Sequence, residues 1–165
     1  MPSYQDKEFF VGIDPSLTGN AVVIINDKGE LIQEKLISTY KECYLCPEQR
    51  ILDIFNDVKF IANIRKLHSV CIEGLSYMSA SPTLFERCAL LYSMTMFMFD
   101  RDIKYKVVPP MTLKKFVTDN GHAKKDQMME SIRTRWGIDF KDDNLADAYG
   151  LARLALADRR NGDVK

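Results

Sequence analysis

The sequence predicts an α/β fold, a five-stranded mixed sheet with three antiparallel strands and two parallel ones, flanked by helices. Three observations predict it. Three apolar or alternating runs, 9–13, 21–25 and 31–37, follow one another closely. Apolar spacing then changes to a helical period and returns twice to short strand-like runs. The remaining apolar stretches keep the helical spacing.

Each element has a local cause. The run 9–13 is stopped by Asp14-Pro15, and the β-branched run 21–25 ends at the turn signal Asn26-Asp27-Lys28-Gly29. Connections this short make the first three strands an antiparallel meander. Ile51, Ile54, Phe55, Val58, Ile61 and Ala62 fall at the spacing of an amphipathic helix. Residues 69–73 read as a buried fourth strand. Ser81-Pro82 is expected to cap a second helix, with proline at its first position, running to about residue 99. Residues 104–108 form a fifth strand, stopped by Pro109-Pro110, and helical pieces follow at about 111–118, 123–136 and 143–160. Strands four and five require crossover connections, so they should run parallel to the first.

A chain of 165 residues fits one domain, 1–165, and 46% hydrophobic with 28% charged residues suits a packed core rather than disorder. Lys and Arg (23) cancel Asp and Glu (23), which excludes a uniformly basic nucleic-acid binder but not a local basic face. Residues 1–100 hold 9 basic and 13 acidic side chains, net −4, whereas 101–165 hold 14 and 10, net +4. Within 103–125, Lys104, Lys106, Lys114, Lys115, Lys124 and Lys125 face one acid, Asp119. Such a strip suggests a phosphate-binding face, although a solvated surface has the same composition. The apolar stretch 90–99 is far shorter than the ~20 residues needed to span a bilayer, and 1–10 lacks the apolar segment of a secretory signal. The expectation is a cytoplasmic chain with no membrane partner. Cys43 and Cys46 form one C-x-x-C, with no second pair to complete a zinc site, and Cys71 and Cys88 fall in core segments. All four are expected to be reduced thiols.

The acids carry the functional reading. Asp14 ends the first strand and Glu73 the fourth; as parallel neighbours, both carboxylates would emerge at one sheet end. Asp143 and Asp147 stand i, i+4 on the last helix, where like charges repel. The helix dipole explains an acid at the N-terminus, such as Asp142, but not Asp147 in the second turn among alanines. A divalent cation would compensate the cluster. Hard oxygen ligands suit Mg²⁺, and two ions ~3.5–4 Å apart can activate water and stabilise the leaving oxygen of a phosphodiester. No histidine or cysteine nucleophile is then required, in a chain with only two histidines. His68, expected to end a helix beside Lys66, reads as structural. His122, in the basic loop, could touch phosphate.

These residues together make the chain recognisable. It resembles the RuvC family of Holliday-junction resolvases, on the RNase H-like fold, from Val11 to about Ala157. The segment 12–19 (Gly-Ile-Asp-Pro-Ser-Leu-Thr-Gly) is similar to the family's first strand and turn. Cys71-Ile72-Glu73 looks like its second acidic strand. The basic segment 112–128 places Lys114 and Lys125 on the family's functional lysines, and Asp147-Ala148-Tyr149-Gly150 looks like its final acidic helix. Each motif alone is weak; their order and spacing are specific. The resemblance implies a homodimer that binds four-way DNA junctions and makes paired symmetric nicks. It implies Mg²⁺ or Mn²⁺, two ions per site, and no nucleotide cofactor. It makes Asp14, Glu73 and Asp147 metal ligands, and gives Lys114 and Lys125 the scissile phosphate, with Lys125 counted as catalytic and Lys115, Lys124 and His122 on the DNA face. The setting expected is a bacterial or phage-infected host cell.

The sequence departs from the family pattern in three places. The fourth acid commonly lies three residues before the last, which here is Asn144; Asp143 is the substitute in charge, and both positions stay open. Asp119 stands where the family usually has glycine, adding a negative charge close to the phosphate path. An aromatic usual three residues after the second acid is replaced by Ser76, and Tyr77 follows, either to stack in the junction or to pack beneath its loop. On the second helix, Leu84, Phe85, Cys88, Leu91, Tyr92, Thr95, Met96 and Phe99 cover one face, with Leu90, Met94, Phe97 and Met98 widening it. A helix apolar nearly all round is buried on more than one side, which suits a two-fold dimer seam. Two further functions stay open: a broader nuclease for flaps and forks, and a non-catalytic module for branched DNA.

Overall fold

The computed structural model describes residues 8–63, 67–75 and 81–161. The elements are β1 (Phe9–Asp14), β2 (Gly19–Asn26), β3 (Leu31–Ser38), a 3₁₀ turn (Lys41–Cys43), α1 (Pro47–Asn63), β4 (Leu67–Glu73), α2 (Leu84–Asp100), β5 (Tyr105–Val108), α3 (Pro110–Thr118), α4 (Lys125–Trp136) and α5 (Asp143–Asn161). One five-stranded sheet has the order β3-β2-β1-β4-β5. β1, β2 and β3 pair antiparallel, whereas β4 runs parallel to both β1 and β5. The expected mixed sheet is therefore present, with β1 at its centre.

Side chains alternate across the sheet and build a core on each face. Phe10, Ala21, Val23, Ile25, Cys71 and Val108 point towards α3, α4 and α5. Val11, Ile13, Val22, Ile24, Val70 and Ile72 point towards α1 and α2, where Ile54, Val58, Leu90, Met94 and Met98 cover them. Gly12 sets the spacing of the first layer. A Cβ there would lie 1.8 Å from the Ala148 carbonyl oxygen and 2.5 Å from the Ala152 nitrogen, so only glycine lets α5 rest directly on β1.

Two expectations need correction. Proline is not the first residue of α2. Leu84 N donates to the Ser81 carbonyl at 3.0 Å, making Ser81-Pro82-Thr83-Leu84 a turn, and the helix starts one residue beyond Thr83. His68 does not end a helix: α1 finishes at Asn63, and His68 lies in β4 with Nδ1 3.2 Å from Glu8. The apolar pattern of α2 left open which side meets the core, and the structure decides it. Leu90, Met94, Phe97 and Met98 are buried together with Leu91, while Phe85 (88% exposed), Tyr92 (66%), Met96 (67%) and Phe99 (79%) point outwards.

The four cysteines are free thiols, Cys43 and Cys46 exposed and Cys71 buried. Burial pushes the Cys71 thiol up to about 12, which keeps it protonated and inert. No helix among the described residues is long and apolar enough to cross a membrane.

Candidate active site and DNA interface

The parallel pairing of β1 with β4 matches Gly12 to Cys71 and Ile13 to Ile72, so Asp14 and Glu73 occupy the next rung. Both share the sheet face of Phe10 and Cys71, beneath α5. Asp14 is 7% exposed, and its carboxyl shares a hydrogen bond with Glu73. Ala148, clamped over Gly12, places its neighbour Asp147 above this pair. Gly150 does the same for the next layer: a Cβ there would meet Val117 at 2.9 Å and Leu113 at 3.1 Å, so its absence lets α3 close onto α5. That approach brings Lys114, which follows Leu113, into the field of Glu73 and Asp147.

The electrostatics follow from this crowding. Burial, above all, holds Asp14 and Glu73 above the ordinary carboxylate range, and their closeness makes them titrate as a pair. Asp147 is pushed up to about 7 by burial and by the nearby charges of Asp14 and Asp143. Lys125 reaches from the first turn of α4 to the Asp143 carboxylate, and that hydrogen bond raises the Lys125 pKa. Asp143 thus pairs with a cation and also sits within the field of Asp14 and Asp147. Asn144 takes a different position, with Nδ2 2.9 Å from where a Cβ on Gly19 would stand, against the start of β2.

The structure therefore brings Asp14, Glu73, Asp143, Asp147, Lys114 and Lys125 to one end of the sheet. Lys115, Lys124 and His122 are exposed on the α3–α4 hairpin beside it. Asn120 Oδ1 accepts the His122 backbone N–H at 3.0 Å, and Gln127 Oε1 accepts that of Lys124 at 2.8 Å, which shapes the loop. Tyr77 lies outside the described residues. Sequence reasoning missed Arg87, on the first turn of α2, whose charge also acts on Asp14. No spacing signal could have found it, because it comes from the opposite helical layer.

Among the described residues, no three His, Cys, Asp or Glu side chains converge closely enough to hold a metal ion as they stand. The donor set nevertheless suits a hard divalent cation. It consists of clustered carboxylate oxygens, those of Asp14, Glu73 and Asp147 raised in pKa chiefly by burial, with Lys125 bonded to Asp143.

Comparison with known proteins identifies the fold and the family. The family model described as crossover junction endodeoxyribonuclease RuvC matches residues 10–155. The RuvC of Prochlorococcus marinus is 27% identical over 157 residues, spanning 88% of this chain and 96% of its own. That of Brachyspira hyodysenteriae is 26% identical over 164 residues, spanning 94% and 98%. Thermus thermophilus RuvC, solved in complex with a Holliday junction substrate, superposes with a TM-score of 0.80 at 17% identity over 96% of this chain and 98% of its own. With that family model matched across residues 10–155 and full-length relatives along most of the chain, this chain belongs to the RuvC family of crossover junction endodeoxyribonucleases.

Proposed function

We propose that this chain resolves Holliday junctions as a divalent-metal-dependent endonuclease, acting as a homodimer that makes paired symmetric nicks. One observation carries the reading: Asp14 and Glu73 share a hydrogen bond under α5 within the field of Asp147, and the charges of Lys114 and Lys125 act on the same cluster. A cluster of buried anions is an obstacle to binding phosphate unless cations bridge the two. A module that only bound DNA would gain nothing from it.

In this reading Asp14, Glu73 and Asp147 hold Mg²⁺, with Mn²⁺ able to substitute, and Asp143 completes the set for two ions. Asn144 is the less suited candidate, because its amide packs at Gly19. The ions would supply an activated water and charge stabilisation at the leaving oxygen. The chain's own residues do the rest. Lys114, half-buried and anchored through Leu113, gives the scissile phosphate a fixed cation, and Lys125 stabilises the charge that develops on it. Lys115, Lys124 and His122 hold the flanking backbone.

The homodimer rests on α2. Phe85, Tyr92, Met96 and Phe99 form an exposed apolar strip along one helix, more than an isolated domain usually leaves in water. A two-fold axis through that strip would set two active sites on one junction. Neither a membrane nor a nucleotide cofactor has a place in this scheme, and the cytoplasm is where its substrate lies.

The test is cleavage of a synthetic four-way junction in Mg²⁺, compared with flap and fork substrates. Paired nicks at symmetric positions support the reading. Comparable flap cleavage would make the protein a broader branched-DNA nuclease, and binding without cleavage would make it a non-catalytic module.

A further inference from the structure

The loop that joins α3 to α4 carries one acid beside the lysines assigned to phosphate. Asp119 is the one acid within 103–125, among six lysines. Its side chain is 81% exposed, in the same loop as His122 and Lys124. Its backbone is left-handed (φ 63°), a conformation that suits glycine better. The Asp119 N–H closes α3 on the Lys115 carbonyl at 2.9 Å, so the carboxylate is fixed close to the lysine-bearing turn.

Arg135, in the last turn of α4, meets this charge. Its Nη2 donates to Asp119 Oδ2 at 2.5 Å, and its Nη1 donates to the Phe116 carbonyl oxygen at 2.9 Å. The planar guanidinium is therefore held at two points, which a lysine could not reproduce. The next residue, Trp136, stacks on Phe116 at 6.3 Å and carries Arg153 of α5 on its ring at 4.9 Å. The end of α4 is thus tied to both α3 and α5. The hydrogen bond to Phe116 and the Trp136 contacts brace the end of α4, whereas an exposed ion pair contributes little to folding stability, so the pairing with Asp119 calls for another account.

We propose that Arg135 is a positioning residue for junction binding, whose task is to cancel the charge of Asp119 within the lysine-bearing hairpin. The inference rests on the reading of that hairpin as the DNA-facing element. Removing Arg135 leaves an uncompensated anion among the phosphate-binding lysines. Removing the Asp119 charge as well should cure the defect, because asparagine keeps the left-handed backbone accessible.

The experiment measures the affinity of a labelled synthetic four-way junction at low salt in metal-free buffer, and kcat in Mg²⁺. Arg135→Ala should bind about three- to tenfold more weakly, the size of one uncompensated charge at a phosphate-binding surface. Its kcat at saturating junction should stay close to that of the wild type. Asp119→Asn alone should bind as tightly as wild type or more so, and the double variant should return to the wild-type value. Arg135→Lys, which keeps the charge and loses the fork, should retain most of the affinity and guards against a folding defect in the alanine variant. A double variant no better than Arg135→Ala would make Arg135 a structural brace and overturn the inference. Lys115→Ala separates the two claims. Weakened binding there with Arg135→Ala unaffected overturns the inference alone, whereas unchanged affinity there removes the hairpin from the DNA face and the inference with it.

Discussion

The two layers that cover the sheet are built from different residues and do different work. On one side α5 approaches β1 through Gly12, Ala148 and Ala152, small groups that allow backbone contact. On the other side α2 stands off on Leu90, Met94, Phe97 and Met98. Close approach fixes the position of Asp147 against Asp14 and Glu73, as a reaction centre requires. Packing on large flexible side chains tolerates adjustment, and it leaves α2 with a second apolar face for another surface. One layer places charges, and the other offers area for association.

The largest expected effect is on the charge-placing side. Asp14→Asn should lower cleavage by about a thousandfold or more, as loss of a metal ligand does, while junction affinity changes little. The same variant should be more stable than wild type without metal at pH 8, because it removes a charge that burial, above all, and the nearby Asp143 carboxylate disfavour. Junction nicking, gel-shift and thermal melting report the three outcomes. Unchanged cleavage would remove Asp14 from the reaction.

Next comes the close approach itself. Gly12→Ala should cost about 2–5 kcal/mol, since backbone atoms of α5 cannot yield as a side-chain tip would. Chemical denaturation measures it, and a loss below 1 kcal/mol would mean that the layers slide freely. The α2 layer should behave otherwise. Met96→Glu, on the exposed strip, should weaken self-association at least tenfold while leaving the melting temperature of the monomer almost unchanged. Leu91→Lys should instead unfold the protein, because Leu91 is only 9% exposed. Analytical ultracentrifugation separates these, and a wild type that is monomeric at micromolar concentration would end the dimer proposal.

The smallest effect is on pH dependence. Asp14, Glu73 and Asp147 ionise near pH 4 in an unfolded chain, whereas burial raises all three in the folded one, Asp147 to about 7. Between those values the folded state binds more protons than the unfolded state, so stability without metal should fall as pH rises from 5 to 8. Denaturation at several pH values checks the sign, and adding Mg²⁺ should flatten the slope. A slope that rises through this window would contradict the burial of these charges.

Much of this comparison could be read in the sequence. Strand direction followed from connection length, because short links force antiparallel neighbours and long ones allow crossovers. Asp14 and Glu73 were visible as charges ending apolar runs, and Asp147 as an acid among alanines. What escaped was whatever depends on contact between distant segments. Periodicity could not say which side of the doubly apolar α2 faces the core, since both sides satisfy the pattern. The start of α2 was misplaced because Ser81-Pro82 serves a turn as readily as a helix cap. His68 was misassigned because nothing local marks where α1 ends. Arg87 and the Arg135–Asp119 pair, from positions 16 apart, were invisible until the chain was folded.

The most direct test is a crystal grown with Mn²⁺ and measured for anomalous scattering. The account predicts manganese coordinated by Asp14, Glu73 and Asp147, with Asp143 closer to it than Asn144. Manganese absent from that pocket at saturating concentration, in a protein that still cleaves junctions, would contradict the account.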